Sequence, residues 1–233
     1  MGSFTFRKFE IQQDRCAMKV GTDGVLLGAW AEGGKRILDI GSGTGLISLM
    51  MAQRFPEAQV VGIDMDDEAC GQARENVAAS PFADRVEIVA SRLQDFSVSH
   101  EMLFDAIVSN PPFFLNSLKN PDSKRSMARH ADSLPFRDLF AGVKRLLEEN
   151  GVFSVVIPVD VLEPFEAEAC FSGLFVVRKC FVKTVEHKQP KRCLVAFSRH
   201  RNRDFDMVTE CMTDADGHRS PWYAKITDEF YVK

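Results

Sequence analysis

"RILDIGSGTG", residues 36–45, decides how the chain folds. A short apolar run breaks at once into Gly41, Gly43 and Gly45, and helical spacing resumes in "GLISLMMAQRF" (45–55). A strand that turns into a helix through glycine leaves backbone bare, so a ligand can approach it closely. The next strand, "QVVGID" (59–64), ends on Asp64, 23 residues after Gly41, with Met65 behind it. An acid at the tip of the adjacent strand can accept hydrogen bonds from both hydroxyls of an adenosine ribose. The spacing is G-x-G-x-G behind Asp39, not G-x-G-x-x-G. A carboxylate there repels a pyrophosphate but complements a sulfonium and an ammonium. The turn therefore favours S-adenosylmethionine over a dinucleotide.

Strand and helix signals alternate outward from this turn. "DDEACGQARENVAAS" (66–80) reads as an amphipathic helix with acids in its first turn, at the positive end of the helix dipole. "RVEIVA" (85–90) and "FDAIVSN" (104–110) are strands, and "LPFRDLFAGVKRLLEENG" (134–151) reads as a helix closed by glycine. "VFSVVIP" (152–158) is a strand and 159–171 a short or broken helix. "LFVVRKCFVKTV" (174–185) and "RCLVAFSRH" (192–200) form a hairpin across "EHKQPK". Strands joined by helix-length connections predict an α/β, doubly wound, mostly parallel sheet of seven strands. Helices should cover both faces, and the hairpin should supply an antiparallel edge. A single domain is expected over 1–233, with a segment at 1–35 over the ligand, a Rossmann-like core at 36–200 and a C-terminal extension at 201–233.

Composition narrows the class. The 233 residues are 45% hydrophobic and 27% charged, ordinary for a soluble globular protein. No apolar run approaches the roughly 20 residues that span a bilayer, and "MGSFTFRKFEIQQDR" carries charges where a signal peptide is apolar. Six scattered cysteines without a C-x-x-C pair argue against zinc or a disulfide framework. A cytoplasmic protein with reduced thiols, no metal, no membrane contact and no obligate protein partner is expected. Net charge is −4, so affinity for nucleic acid must come from local asymmetry. Nine Lys or Arg against one acid lie between Arg178 and Arg203, and five against two between Lys119 and Arg137. Lys124, Arg125, Arg129, Lys188, Lys191 and Arg192 are the candidate contacts to RNA phosphates.

"SNPPFF" (109–114) carries the chemistry. It ends a strand whose tip shares the ligand crevice with Gly41 and Asp64. The amine of a nucleobase or a carboxamide is a poor nucleophile, because its lone pair is delocalised. Two acceptors aimed at its two N–H groups favour pyramidalisation and point the lone pair at a methyl donor. The side-chain oxygen of Asn110 and the carbonyl of Pro111 can serve, while Pro112 stiffens the corner without a competing N–H. Phe113 offers a face for a planar group, a contact worth roughly 1–3 kcal/mol per base. Catalysis of this kind rests on positioning and desolvation.

With DIGSGTG, Asp64 and NPPF in order, the chain resembles class I S-adenosylmethionine-dependent methyltransferases that methylate amines. "CAMKVGTDGVLLGAW" (16–30) sharpens this, since it is similar to the N-terminal cofactor motif of the tRNA(Val) adenine-N6 methyltransferase family. That resemblance implies transfer to N6 of the adenine 3′ to the anticodon, position 37, with Lys19, Gly21 and Thr22 near the methionine end of the cofactor. In that pattern an Asp after the third strand holds the cofactor adenine. Here "ASRLQDF" has Arg92 in its place, leaving Leu93 with backbone groups, or Asp95 from the next turn. A glutamine-N5 methyltransferase of a peptide release factor and a guanine-N2 methyltransferase of ribosomal RNA share the NPP chemistry and stand as alternatives.

Overall fold

The computed structural model describes residues 2–16, 19–112, 134–201 and 204–232. Phe113, Lys124, Arg125 and Arg129 lie outside the described residues. The chain opens with a two-stranded antiparallel pair, β1 (Ser3–Thr5) and β2 (Glu10–Gln12), followed by α1 (Thr22–Trp30). Then come β3 (Arg36–Ile40), α2 (Leu46–Arg54), β4 (Gln59–Asp64), α3 (Asp67–Ala78), β5 (Val86–Ala90) and α4 (Leu93–Ser99). β6 (Phe104–Ser109), α5 (Phe136–Leu146), β7 (Leu147–Pro158), a 3₁₀ turn (Val159–Val161) and α6 (Leu162–Phe171) follow. β8 (Phe175–Val185), β9 (Arg192–Ser198), β10 (Asp206–Thr213) and α7 (Pro221–Thr227) complete the order.

The main sheet runs β10-β8-β9-β7-β6-β3-β4-β5, and β9 alone is antiparallel to its neighbours. Chain order reverses at β3, where β4 lies on one side and β6 on the other. In open α/β sheets that switch point opens a crevice beyond the strand ends. Successive strand residues enter different cores: Ile37, Ala106 and Val152 pack with α1, α2 and α3, whereas Leu38, Ile107 and Phe153 pack with α4, α5 and α6. The continuous apolar strands seen in the sequence are thus buried on both faces, as covered parallel strands must be.

Three expectations change. The hairpin forms, but β10 pairs outside it in parallel with β8, so the sheet has eight strands and the C-terminal segment belongs to it. The segment before the core sheet also packs into the core: residues Gly24–Trp30 of α1 are buried, and a Cβ at Gly28 would fall 2.7 Å from Met50 Sδ on α2. The helix expected over 134–151 ends at Leu146, and Leu147 already pairs with Phe104. Arg199 closes it in place of glycine, donating to Lys144 O and, at 2.7 Å, to Leu147 O. A cation on the last carbonyls does the work of a C-cap, and it comes from the residue after β9, too far along the chain to be read locally.

Candidate active site

Three left-handed residues shape the turn after β3: Gly41, Gly43 and Gly45 have φ of 74°, 52° and 80°. Side chains rarely adopt this region. The turn hangs from β4, since Gly41 and Ser42 both donate their N–H to Ile63 O, at 2.8 and 3.0 Å. A Cβ at Gly41 would meet nothing within 4 Å, so open space lies directly above the bare backbone.

Asp64 secures the other wall. Its Oδ2 accepts from Gly43 N at 2.8 Å and its Oδ1 from Asp66 N at 3.0 Å. Each oxygen keeps a lone pair for a ligand hydroxyl. Asp66 in turn caps α3, accepting from the N–H groups of Glu68 and Ala69.

Asn110, Pro111 and Pro112 follow β6, whose last residue, Ser109, pairs with Ile40. That register sets Asn110 level with Gly41. Pro111 is buried, Asn110 half-buried and Pro112 exposed. The cleft has two lobes that meet here. The larger, about 620 Å³, runs past Asp64 and Met65 to Arg92, Leu93 and Asp138. The smaller, about 430 Å³, is walled by Lys19, Thr22, Asp23 and Arg192. Gly41, Gly43, Asn110, Pro111 and Pro112 line both lobes and form the waist.

Most of the expected cofactor residues therefore converge: Lys19, Gly21, Thr22, Gly41, Gly43, Asp64, Met65, Arg92, Leu93 and Asn110 all line the cleft. Two stand behind it. Gly45 begins α2 beneath the turn, and Asp39 is fully buried, its Oδ2 held by Ser48 Oγ at 2.6 Å. Burial pushes the Asp39 carboxyl up to about 7, the hydrogen bonds at Ser48 pull against that, and the charge on Asp64 adds to the rise. Asp39 lines neither lobe, and its bearing on the cleft is through its charge.

Lys188 and Lys191 are exposed on the β8–β9 connection. Arg192, grouped with them in the sequence, enters the cleft wall instead, where its Nε pairs with Asp23 Oδ1. The pair joins the start of β9 to the start of α1 and bounds the smaller lobe. Sequence reasoning passed over several polar residues. Asn76, buried on α3, receives Gln12 N and donates to Gln12 O and Thr44 O, all at 2.9–3.0 Å. One amide so binds β2 to the glycine turn. Gln94 and Asp138, joined at 3.1 Å, were missed as well; only the packing of α4 on α5 reveals them.

The residues fit an S-adenosyl ligand on two unsatisfied atoms. Ser42, buried on the wall of the smaller lobe, has a hydroxyl without a hydrogen-bond partner among the described residues, and so has Asp39 Oδ1. A charged amino-acid tail would bring Ser42 the partner it lacks and set a positive charge above the buried Asp39, which lines neither lobe.

Comparison with known proteins agrees with this geometry. Residues 20–171 match the family model described as methyltransferase small domain. A protein from Bacteroides thetaiotaomicron is 47% identical over 98% of this chain and 97% of its own length. One from Tolumonas auensis is 39% identical over 99% and 97%. Both carry the name tRNA1(Val) (adenine(37)-N6)-methyltransferase. Among solved structures, a predicted O-methyltransferase from Agrobacterium tumefaciens superposes with a TM-score of 0.68 at 18% identity, covering 89% of this chain and 96% of that one. A glycopeptide N-methyltransferase complexed with S-adenosyl-L-methionine superposes at 0.55 and 15% identity, over 78% of this chain and 89% of that one. At such identities these structures attest the fold. By family model and by near full-length relatives, this chain belongs to the methyltransferase small domain family and, within it, to the tRNA1(Val) (adenine(37)-N6)-methyltransferases.

Proposed function

We propose that the protein transfers a methyl group from S-adenosylmethionine to N6 of the adenine at position 37 of tRNA1(Val). The observation that carries the chemistry is Asn110-Pro111-Pro112 at the waist of the cleft, directly beside the glycine turn. Asp64 is suited to the ribose hydroxyls and the larger lobe to the adenine; Lys19, Thr22 and Ser42 are suited to the methionine tail. When bound, the cofactor supplies an electrophilic methyl group on a sulfonium.

The chain's own residues make the amine reactive. The Asn110 side-chain oxygen accepts one N–H of the target amine and the Pro111 carbonyl accepts the other. Neither Pro111 nor Pro112 has an N–H to compete for those acceptors. The proton made acidic by methylation leaves to water, so no strong base is required. The target adenine must leave its stack to reach the waist. Phe113 is the expected stacking face. Lys188 and Lys191, exposed beside the β9 wall of the smaller lobe, are suited to tRNA phosphates, as are Lys124, Arg125 and Arg129 by their charge.

The test is to incubate the protein with labelled cofactor and total tRNA from a strain lacking the enzyme. Mass spectrometry of the digested RNA should find N6-methyladenosine at position 37 of one valine tRNA. Label in a guanine, or unlabelled tRNA while a release factor in a parallel reaction takes label on glutamine, would overturn the assignment.

A further inference from the structure

We infer that Asp138, positioned by Gln94, is the subsite that reads the exocyclic amine of the cofactor's adenine. The inference rests on the S-adenosylmethionine reading of the cleft. An adenine amine is a donor and needs an acceptor at the far end of the larger lobe. Arg92, which follows β5 and caps the start of α4, offers donors only. Leu93 is buried and apolar. Asp95, the acid on α4, is exposed and lines neither lobe.

Among the described residues, three carboxylates line the larger lobe: Asp64, Asp66 and Asp138. Asp64 sits at the β4 tip with backbone N–H groups on both oxygens, and Asp66 is engaged as the cap of α3. Asp138 lies in the first turn of α5, against Gln94 of α4. The packing of that helix explains why it faces inward. A Cβ at Gly142 would fall 2.7 Å from Leu93 Cγ, so α5 presses its Gly142 face onto the start of α4. Asp138 precedes Gly142 by four residues and shares that face. Gln94 Nε2 donates to Asp138 Oδ2 at 3.1 Å, which orients the carboxylate and leaves Oδ1 as an acceptor. The acceptor thus comes from α5, packed on the start of α4, rather than from the strand end where Arg92 stands.

The probes are S-adenosylhomocysteine and S-inosylhomocysteine, which differ in carrying a 6-amino or a 6-oxo group. Calorimetry on the full chain should show wild-type protein preferring the adenosyl ligand. Asp138→Ala should cut that preference about tenfold, chiefly by weakening the adenosyl ligand, the scale of one charge-assisted hydrogen bond. Asp138→Asn, whose amide can accept from an amine or donate to a carbonyl, should bring the two affinities close together. Asp95→Ala should behave as wild type. A wild-type preference retained in both Asp138 variants would overturn the subsite, as would its collapse in Asp95→Ala. Wild-type protein that binds neither ligand would overturn the cofactor reading itself, and the subsite with it.

Discussion

Asn110 and Asp39 occupy the tips of neighbouring strands and do opposite things. Asn110 stands at the waist of the cleft and, in the proposed reaction, uses a neutral amide oxygen. Asn110→Ala should lower kcat by roughly a hundredfold or more, the usual cost of misplacing a reacting group, with cofactor affinity nearly unchanged. Single-turnover kinetics beside cofactor titration checks this, and a parallel loss of both would remove Asn110 from its role. Asp39 works from below. Its folded pKa of about 7 stands above its unfolded value of 3.8, because burial disfavours the charged form. The folded protein therefore holds a proton that the unfolded chain has lost in this interval. The contribution of Asp39 to stability is full below pH 3.8 and is lost as pH rises through about 7. Wild-type protein should accordingly lose melting temperature between pH 5 and pH 8 relative to Asp39→Asn. A cation bound above should lower this pKa, so cofactor binding at pH 7 should release part of a proton. Calorimetry in buffers of different ionisation enthalpy measures it, and zero release would contradict the electrostatic role.

At the scale of elements, two polar links hold the N-terminal segment to the site. Asn76 ties β2 to the glycine turn with three hydrogen bonds from a buried amide. Asn76→Ala would leave buried backbone groups unpaired, at about 1–3 kcal/mol each. The urea midpoint should fall and cofactor affinity should weaken with it, because Thr44 belongs to the turn. Asn76→Asp, which keeps the acceptor but sets a carboxylate oxygen against the carbonyls of Gln12 and Thr44, should fall at least as far. The Asp23–Arg192 pair links α1 to β9 at a partly exposed position, where such pairs contribute about 0–1 kcal/mol. Arg192→Ala should therefore change stability little, while altering turnover through the shape of the smaller lobe.

Across the whole molecule, the two ends of the chain meet. Arg7 N donates to Phe230 O at 2.8 Å and Arg7 Nε to Tyr231 O at 2.7 Å. Phe230 is fully buried in the same core as Phe6, Phe9 and α1. Phe230→Ala should cost about 3–5 kcal/mol, lowering the melting temperature by about 10 °C in a domain of this size. A shift of under 2 °C would mean that the C-terminal segment is dispensable. The exposed pair Lys188 and Lys191 belongs to this scale too, since tRNA is larger than the cleft. Replacing both with Ala should reduce the salt slope of tRNA binding by about 1.5, two phosphate contacts' worth. An unchanged slope in a filter-binding series would place the RNA elsewhere.

The sequence by itself determined what depends on neighbours along the chain. Glycines at three alternate positions mark backbone that side chains would forbid, an acid marks the tip of the next strand, and NPP marks a strand end without competing N–H groups. Apolar strands separated by helices specified the sheet. Tertiary structure decided what depends on register and on packing between distant segments. "LEENG" has the composition of a helix end, yet the strand opens at Leu147, which pairs with Phe104 before the register shifts and resumes at Val152. β10 is polar enough to pass for an extension until β8 offers it partners. Arg192 reads as one more cation in a basic run, and only the position of β9 beside α1 turns it toward Asp23. Asp138 reads as an ordinary acid in a first helical turn. The contact of Gly142 with Leu93 aims it into the cleft. Hydrogen bonds and close approaches between elements far apart in sequence have no local signature, and that is where the two kinds of information divide.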